Sequence, residues 1–306
     1  MRIAVTGSSG LIGPRLVTQL RADGHQVLRM VRRAPQAADE VRWNPRHAAS
    51  GDATIGRDAI AALEGVDAVV HLAGAPVADR RWTAAVKQEI RASRVEGTTA
   101  LAAALAGLQQ RPAVLLCSSG INWYGDTGAR AVDESAPGGS GFLADLARAW
   151  EASTSQAEQA GITVAHMRTG VVLSRHGGML GRLLLPFRLG LGARLGPGAQ
   201  YISWIMLTDV VRAMGFLLDR QDIAGPVNLT APHPTTNATF TAALARAVGR
   251  PAVFRLPSPV LRLALGEAAG ELLASARVLP TRLLDVGYTF LHPDVESALA
   301  NELRSR

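Results

Sequence analysis

Cysteine is nearly absent: Cys117 stands alone in 306 residues. One cysteine excludes an internal disulfide and a multi-cysteine zinc site. The seven histidines form no convincing ligand cluster with acids or with that cysteine, so no metal site is expected. Lysine is equally scarce. Lys87 is the only one, and the residue four positions before it is Thr83 rather than tyrosine. No apolar run approaches the ~18 residues of a membrane-spanning helix. The opening MRIAVTGSSG carries one basic residue and passes straight into glycines, without the apolar stretch and cleavage site of a secretory signal. A cytoplasmic protein without membrane contact is the expectation.

Arginine, by contrast, is plentiful. It supplies nearly all the positive charge behind a net +7. The arginines are scattered and no nucleic-acid motif accompanies them, so they read as solvated surface with a few set aside for phosphate. No nucleic-acid partner is expected. With 48% hydrophobic and 19% charged residues, the composition suits a large core and one or two domains.

Five short apolar stretches read as strands: RIAVT (2–6), QVLRMV (26–31), DAVVHLA (67–73), AVLLCSS (113–119) and ITVAHMRT (162–169). Helical patterns separate them, among them 83–108 and 142–160. That alternation predicts an α/β fold, a Rossmann-like, doubly wound parallel sheet over residues 1–174. Beyond residue 174, glycine and proline crowd into GGMLGRLLLPFRLGLGARLGPGAQ (177–200). A helix (208–220), the strand PVNLT, a helix (237–248) and a proline-punctuated tail follow. Residues 175–306 therefore read as a smaller α/β substrate-side lobe, interleaved with the end of the sheet. Small and apolar residues at helical spacing in 259–274 suggest tight helix packing, including across a homodimer, rather than lipid contact.

The chemistry-bearing stretch is TGSSGLIG (6–13), directly after a strand and before a helix. Gly7 suits a tight turn, Gly10 close approach of a pyrophosphate, and Gly13 close helix–strand packing. Thr6, Leu11 and Ile12 complete the loop, and the helix N-terminus offers N–H groups and a positive dipole end to the anion. The second strand ends in Arg32 and Arg33, where a site preferring NAD places an acid for the ribose hydroxyl. Arginine there suits a 2′-phosphate, which predicts NADP. Leu72, Ala73 and Gly74 leave room for a nucleotide against the backbone at the sheet's carboxyl edge. His71, inside the apolar strand, reads as a core histidine.

Together with VRWNP, HLAGAP followed by RRW, ASR (92–94), SSGINWYGD (118–126), FLADLARAWE (142–151), MRTGVVLS, LPFRLGLGARLGPGAQYISWI, GPVNLTAP and GYTFLHPDVESAL, the loop resembles the extended short-chain dehydrogenase/reductase superfamily. Within it, the chain looks like the atypical "epimerase family" branch with a small C-terminal domain. The resemblance spans residues 1 to about 300. It implies an NADP-binding domain, with Arg32 and Arg33 on the 2′-phosphate and Leu72 and Ala73 flanking the nucleotide. It also implies Arg94 on a phosphate or ribose (a solvated helix arginine is the alternative), and Ser118 near the cofactor. Ser119 matches the active-site serine, whose hydroxyl would polarise a carbonyl. Tyr124 matches a Tyr-Gly position: proton donor, substrate-contacting wall or packing residue. In the superfamily a lysine lowers the pKa of the catalytic tyrosine. The matching helix, FLADLARAWE, contains neither residue. Arg168 is then the candidate cation beside Tyr124 and is grouped with the cofactor residues.

Loops expected near the carboxyl edge or in the small lobe supply pocket walls: Trp82, Asn122, Trp123, Phe142, Arg188, Gln200, Tyr201 and Trp204. Aromatic walls suit a small organic substrate and Arg188 an anionic one, with core packing the alternative for each aromatic. Two functions fit: an NADP-dependent oxidoreductase or epimerase-like enzyme with unusual proton chemistry, or an NADP(H)-binding sensor without catalysis.

Overall fold

The computed structural model describes residues 1–44, 56–77 and 80–304; Pro45 of the VRWNP stretch lies outside them. The first half runs β1 (Arg2–Thr6), α1 (Gly13–Ala22), β2 (Gln26–Val31), β3 (Glu40–Arg42), α2 (Arg57–Leu63), β4 (Ala68–His71), α3 (Ala84–Ala106), β5 (Val114–Gly120), β6 (Ala131–Val132), α4 (Phe142–Ala152), α5 (Ser155–Gln159) and β7 (Thr163–Thr169). The second half runs β8 (Val171–Ser174), α6 (Gly178–Arg188), β9 (Ala193–Leu195), β10 (Tyr201–Ile202), β11 (Trp204–Met206), α7 (Leu207–Asp219), β12 (Gly225–Leu229), β13 (Thr235–Thr236), α8 (Asn237–Val248), β14 (Phe254–Leu256), α9 (Ser258–Leu265), α10 (Ala268–Leu273), β15 (Arg277–Val278), α11 (Thr281–Asp285) and α12 (Val295–Arg304).

Seven parallel strands form the main sheet in the order β12-β7-β5-β4-β1-β2-β3. Successive residues bury opposite faces. Ile3, Val5, Val70 and Leu116 pack with Leu16 and Leu20 of α1 and Val210 and Met214 of α7. Ala4, Val69 and Leu115 pack with Leu63, Leu101, Leu105 and Trp150 on the other side. Burial on both faces is why the strands read as near-continuous apolar runs. The strand order reverses between β1 and β4, and ligands of such sheets bind at the carboxyl ends beside that reversal. The small lobe has its own core, built from α6, α8, α12 and the β8–β11 pair.

The structure differs from the sequence reading in three places. β3 is a three-residue edge strand, too short and polar to show a pattern. The helix expected over 142–160 breaks at Ser153 and Thr154, whose hydroxyls bond back to the carbonyls of Trp150 and Glu151. The 259–274 stretch is two helices, separated at Gly266 with φ +61°. Among the described residues, no helix is long and apolar enough to cross a membrane.

Candidate dinucleotide cleft and the buried network beside it

The three loop glycines serve different ends. Gly7 has φ +67°, and a Cβ there would lie 2.7 Å from the Leu72 carbonyl carbon. It lets the loop touch the end of β4. A Cβ on Gly13 would fall 2.5 Å from the Gly7 oxygen. Gly10 is exposed, and its Cβ would meet only the Gly7 oxygen, at 3.4 Å. The chain's own packing does not require glycine there. The bare backbone leaves a cradle of the kind a pyrophosphate fills, and the residue before α1, Ile12, offers no side-chain cap to the first-turn N–H groups. Leu11 reaches the other way, its methyls 3.0 Å from where a Cβ on Gly177 or Gly178 would stand. Ile12 packs against the core formed with α1 and α7.

Thr6 is fully buried, so its side chain does not reach a ligand; it holds the loop instead. Its Oγ1 accepts from the N–H groups of Leu72 and Ala73 at 3.2 and 3.3 Å. His71 bridges Thr6 and Thr98 at 2.7 and 3.0 Å, a core histidine with both ring nitrogens satisfied. Burial pushes its pKa down to about 4.

Arg33 is not free for a phosphate. Its two terminal nitrogens each lie 2.7 Å from Glu40, a carboxylate that also pairs with Arg29 and accepts from the Gln36 N–H. Arg32 is exposed and bonds to none of the described residues. Arg94 lies under exposed Gly74, with its guanidinium carbon 3.2 Å from where a Gly74 Cβ would stand. It donates to the Ala75 carbonyl at 2.9 Å and stacks 4.9 Å from the Trp150 ring. No carboxylate among the described residues pairs with it, and burial lowers its pKa to about 10.

Strand register assembles the next group. Ser119 lies opposite Arg168, and Arg168 opposite Asn228, on neighbouring strands β5, β7 and β12. Glu151 of α4 completes it. Ser119 Oγ donates to Glu151 Oε1 at 2.7 Å. Arg168 grips both Glu151 oxygens, at 2.8 and 2.9 Å, and donates to the Tyr124 hydroxyl at 3.1 Å. Tyr124 donates to Asn228 Oδ1 at 2.8 Å. Trp123 stacks on Arg168 with 3.8 Å from guanidinium to ring. Ser118, half-buried at the end of β5, stands just before this group.

This geometry corrects three expectations. Arg168 does sit beside Tyr124, but burial outweighs it and the tyrosine pKa is raised, the wrong direction for a base. Arg168 itself is 2% exposed and saturated by Glu151, so it is a network residue and not a cofactor ligand. The Ser119 proton is aimed at Glu151, so its Oγ is left as an acceptor rather than a donor to a carbonyl. Glu151 and Asn228 were not singled out from the sequence. The available signal was one acid on the apolar face of FLADLARAWE and one arginine in an apolar strand, which must pair if both are buried.

The expected pocket walls divide. Asn122 is exposed and donates to Glu271 of α10 at 3.2 Å. Phe142 is half-buried, edge-on to Trp82 at 5.2 Å, with Lys87 5.1 Å above its ring. Lys87 pairs with Glu267, so α10 ties Asn122, Phe142 and the start of α3 into one group. Trp82 serves packing rather than a wall: it is buried with Ile90, Leu143 and Leu146, and its indole N–H donates to the Val77 carbonyl. Trp204 is fully buried in the small-lobe core and is no pocket wall. Gln200 is buried and donates to the Leu195 carbonyl. Tyr201 is half-buried beneath Arg277, and Arg188 is exposed at the end of α6. None of these last three contacts the Ser119 group.

Residues 3–229 match the model of the NAD dependent epimerase/dehydratase family, and residues 256–302 match DUF1731, a domain of unknown function. An epimerase family protein of Mycobacterium bovis is 48% identical over 298 residues, covering 97% of this chain and 96% of its own. The human epimerase family protein SDR39U1 is 36% identical over 303 residues, covering 98% of both. A crystal structure of human SDR39U1 (isoform 2) with NADPH superimposes with a TM-score of 0.90 at 34% identity, over 100% of each chain. A Bacillus cereus UDP-N-acetylglucosamine 4-epimerase, 17% identical over 99% and 98% of the two chains with a TM-score of 0.77, shares the fold. The chain thus belongs to the NAD-dependent epimerase/dehydratase family, as an SDR39U1-like epimerase family protein with a C-terminal DUF1731 domain.

Proposed function

We propose that the chain binds NADP(H) along the carboxyl edge of the sheet and is an oxidoreductase or epimerase-like enzyme for a small, anionic metabolite. The observation that carries this reading is the Gly10 cradle at the uncapped start of α1, which the fold itself does not use. The human relative crystallised with NADPH supports the same cofactor. In this reading the first turn of α1 holds the pyrophosphate, with Gly7 and Gly13 shaping the loop. Arg32 meets the 2′-phosphate, while Arg33 braces the turn between β2 and β3 through Glu40. Leu72, Ala73 and Gly74 lie along the nucleotide, and Arg94, which pairs with no carboxylate among the described residues, faces phosphate or ribose. The bound nicotinamide would supply a hydride donor or acceptor. Ser119, its proton held by Glu151, accepts a hydrogen bond from a substrate hydroxyl. Asn122, Phe142 and Glu271 bound the substrate side, and Arg188 and Tyr201 extend it toward the small lobe.

One observation favours a second reading, an NADP(H)-binding sensor without turnover. α4 carries no tyrosine–lysine pair, and Tyr124 is locked between Arg168 and Asn228. Mass-spectrometric profiling of a metabolite extract incubated with NADP(H) separates the two. A metabolite converted by the wild type but not by Ser119→Ala supports the enzyme. NADPH binding with no metabolite converted supports the sensor.

A further inference from the structure

Acidic residues are unevenly placed. All 25 lie outside two stretches, 159–208 and 223–266, which together hold nearly a third of the chain and nine arginines. Among the described residues, seven of the eleven large apolar side chains that stand exposed lie in these same stretches. Leu185, Leu189 and Leu191 come from the end of α6 and the turn after it, Val253 from just before β14 and Phe254 from its start, and Leu263 from α9; their exposure runs from 51% to 81%.

Topology gathers most of them. β9 pairs with β14 in parallel, Ala193 opposite Phe254, so Leu191 and Val253 enter the strand pair from the same end. The turn after α6 folds onto that end, with the Leu191 N–H on the Pro186 carbonyl. Beside the pair runs a groove of about 560 Å³, walled by Val253 and Phe254 and lined by Arg194, Arg246 and Arg255. No acidic side chain among the described residues lines it; Glu296 reaches Arg246 at 3.6 Å. Arg262 stands next to exposed Leu263 in α9.

We propose that this face of the small lobe seats peripherally on a negatively charged lipid surface. The projecting leucines enter the headgroup boundary while the arginines meet lipid phosphates, the pairing of apolar area with positive charge that gives such contacts their strength. Lipid fits better than an acidic protein helix. The apolar side chains project from several short, separate segments, and only Val253 and Phe254 of them face the groove a helix would need. This departs from the expectation of no membrane contact, which rested on the lack of a spanning apolar run and on the 259–274 stretch.

Co-sedimentation with vesicles tests it. The full chain is mixed with vesicles of phosphatidylcholine alone, or of equal parts phosphatidylcholine and phosphatidylglycerol. Binding is expected to be at least about tenfold stronger to the anionic vesicles and to weaken with salt. Leu189→Asp with Leu191→Asp, and separately Val253→Asp, should each reduce it about tenfold, with circular dichroism and melting temperature unchanged because these side chains are exposed. No binding to either vesicle, equal binding to both, or folded variants that bind like the wild type would overturn the proposal.

Discussion

Glu151→Gln isolates the electrostatics of the buried network. The substitution keeps the shape and one acceptor oxygen but leaves the Arg168 charge, in a side chain 3% exposed, without its carboxylate. Breaking one partner of a buried pair costs about 3–5 kcal/mol, because the remaining charge stays desolvated. Unfolding entropy of about 2.1 cal/mol/K per residue gives roughly 0.6 kcal/mol/K for a chain this long, so the melting temperature should fall by about 5–8 °C. Glu151→Met combined with Arg168→Met removes both charges, and an apolar replacement of a buried pair is often close to neutral. The double variant should therefore recover most of the loss, so that the two substitutions are strongly non-additive. Calorimetry on wild type, Glu151→Gln, Glu151→Met, Arg168→Met and the double variant is the assay. A Glu151→Gln melting point within about 1 °C of wild type, or a double variant no more stable than the single, would refute the reasoning.

Two further outcomes follow from the cleft and the core. In a fluorescence titration with NADPH, Arg32→Ala should weaken binding about ten- to hundredfold, the worth of a charge-assisted hydrogen bond, and leave NADH unaffected. Arg33→Ala should change it far less, because Glu40 already holds that guanidinium, and Gly10→Ala should weaken NADPH without lowering the melting temperature; equal losses for the two arginines would sink this assignment. His71 titrates near 4 when folded against 6.5 for an ordinary histidine, so between those values the unfolded chain binds a proton the folded chain does not. Stability should fall by about 3 kcal/mol as pH drops through that window and level off below it. Denaturant melts of wild type and His71→Gln check this, since a slope that survives the substitution has another source.

The local features were legible because they are written in consecutive residues. Strand, glycine loop and helix follow one another through residues 2–22, and the physics of a tight turn and a bare backbone needs only that order. His71 could be placed in the core from the apolar run around it. The role of Arg33 was not legible, because it depends on Glu40, which an edge strand too short to recognise brings beside it. Trp204 stayed open between wall and core because an aromatic near glycines looks the same in sequence whether it walls a cleft or fills a core.

The sequence by itself determined the α/β class, the parallel sheet and the position of the dinucleotide loop, since periodicity and turn chemistry are local. Only the tertiary structure decided what Ser119, Tyr124 and Arg168 do. Ser119 and Arg168 lie on neighbouring strands and meet through sheet register, Tyr124 enters from the turn after β5, and Glu151 of α4 and Asn228 of β12 set the proton on Ser119 and fix the charge beside Tyr124. Burial of that group then raises the tyrosine pKa despite the neighbouring arginine, because desolvation depends on every packed element around a site and on no single stretch of chain.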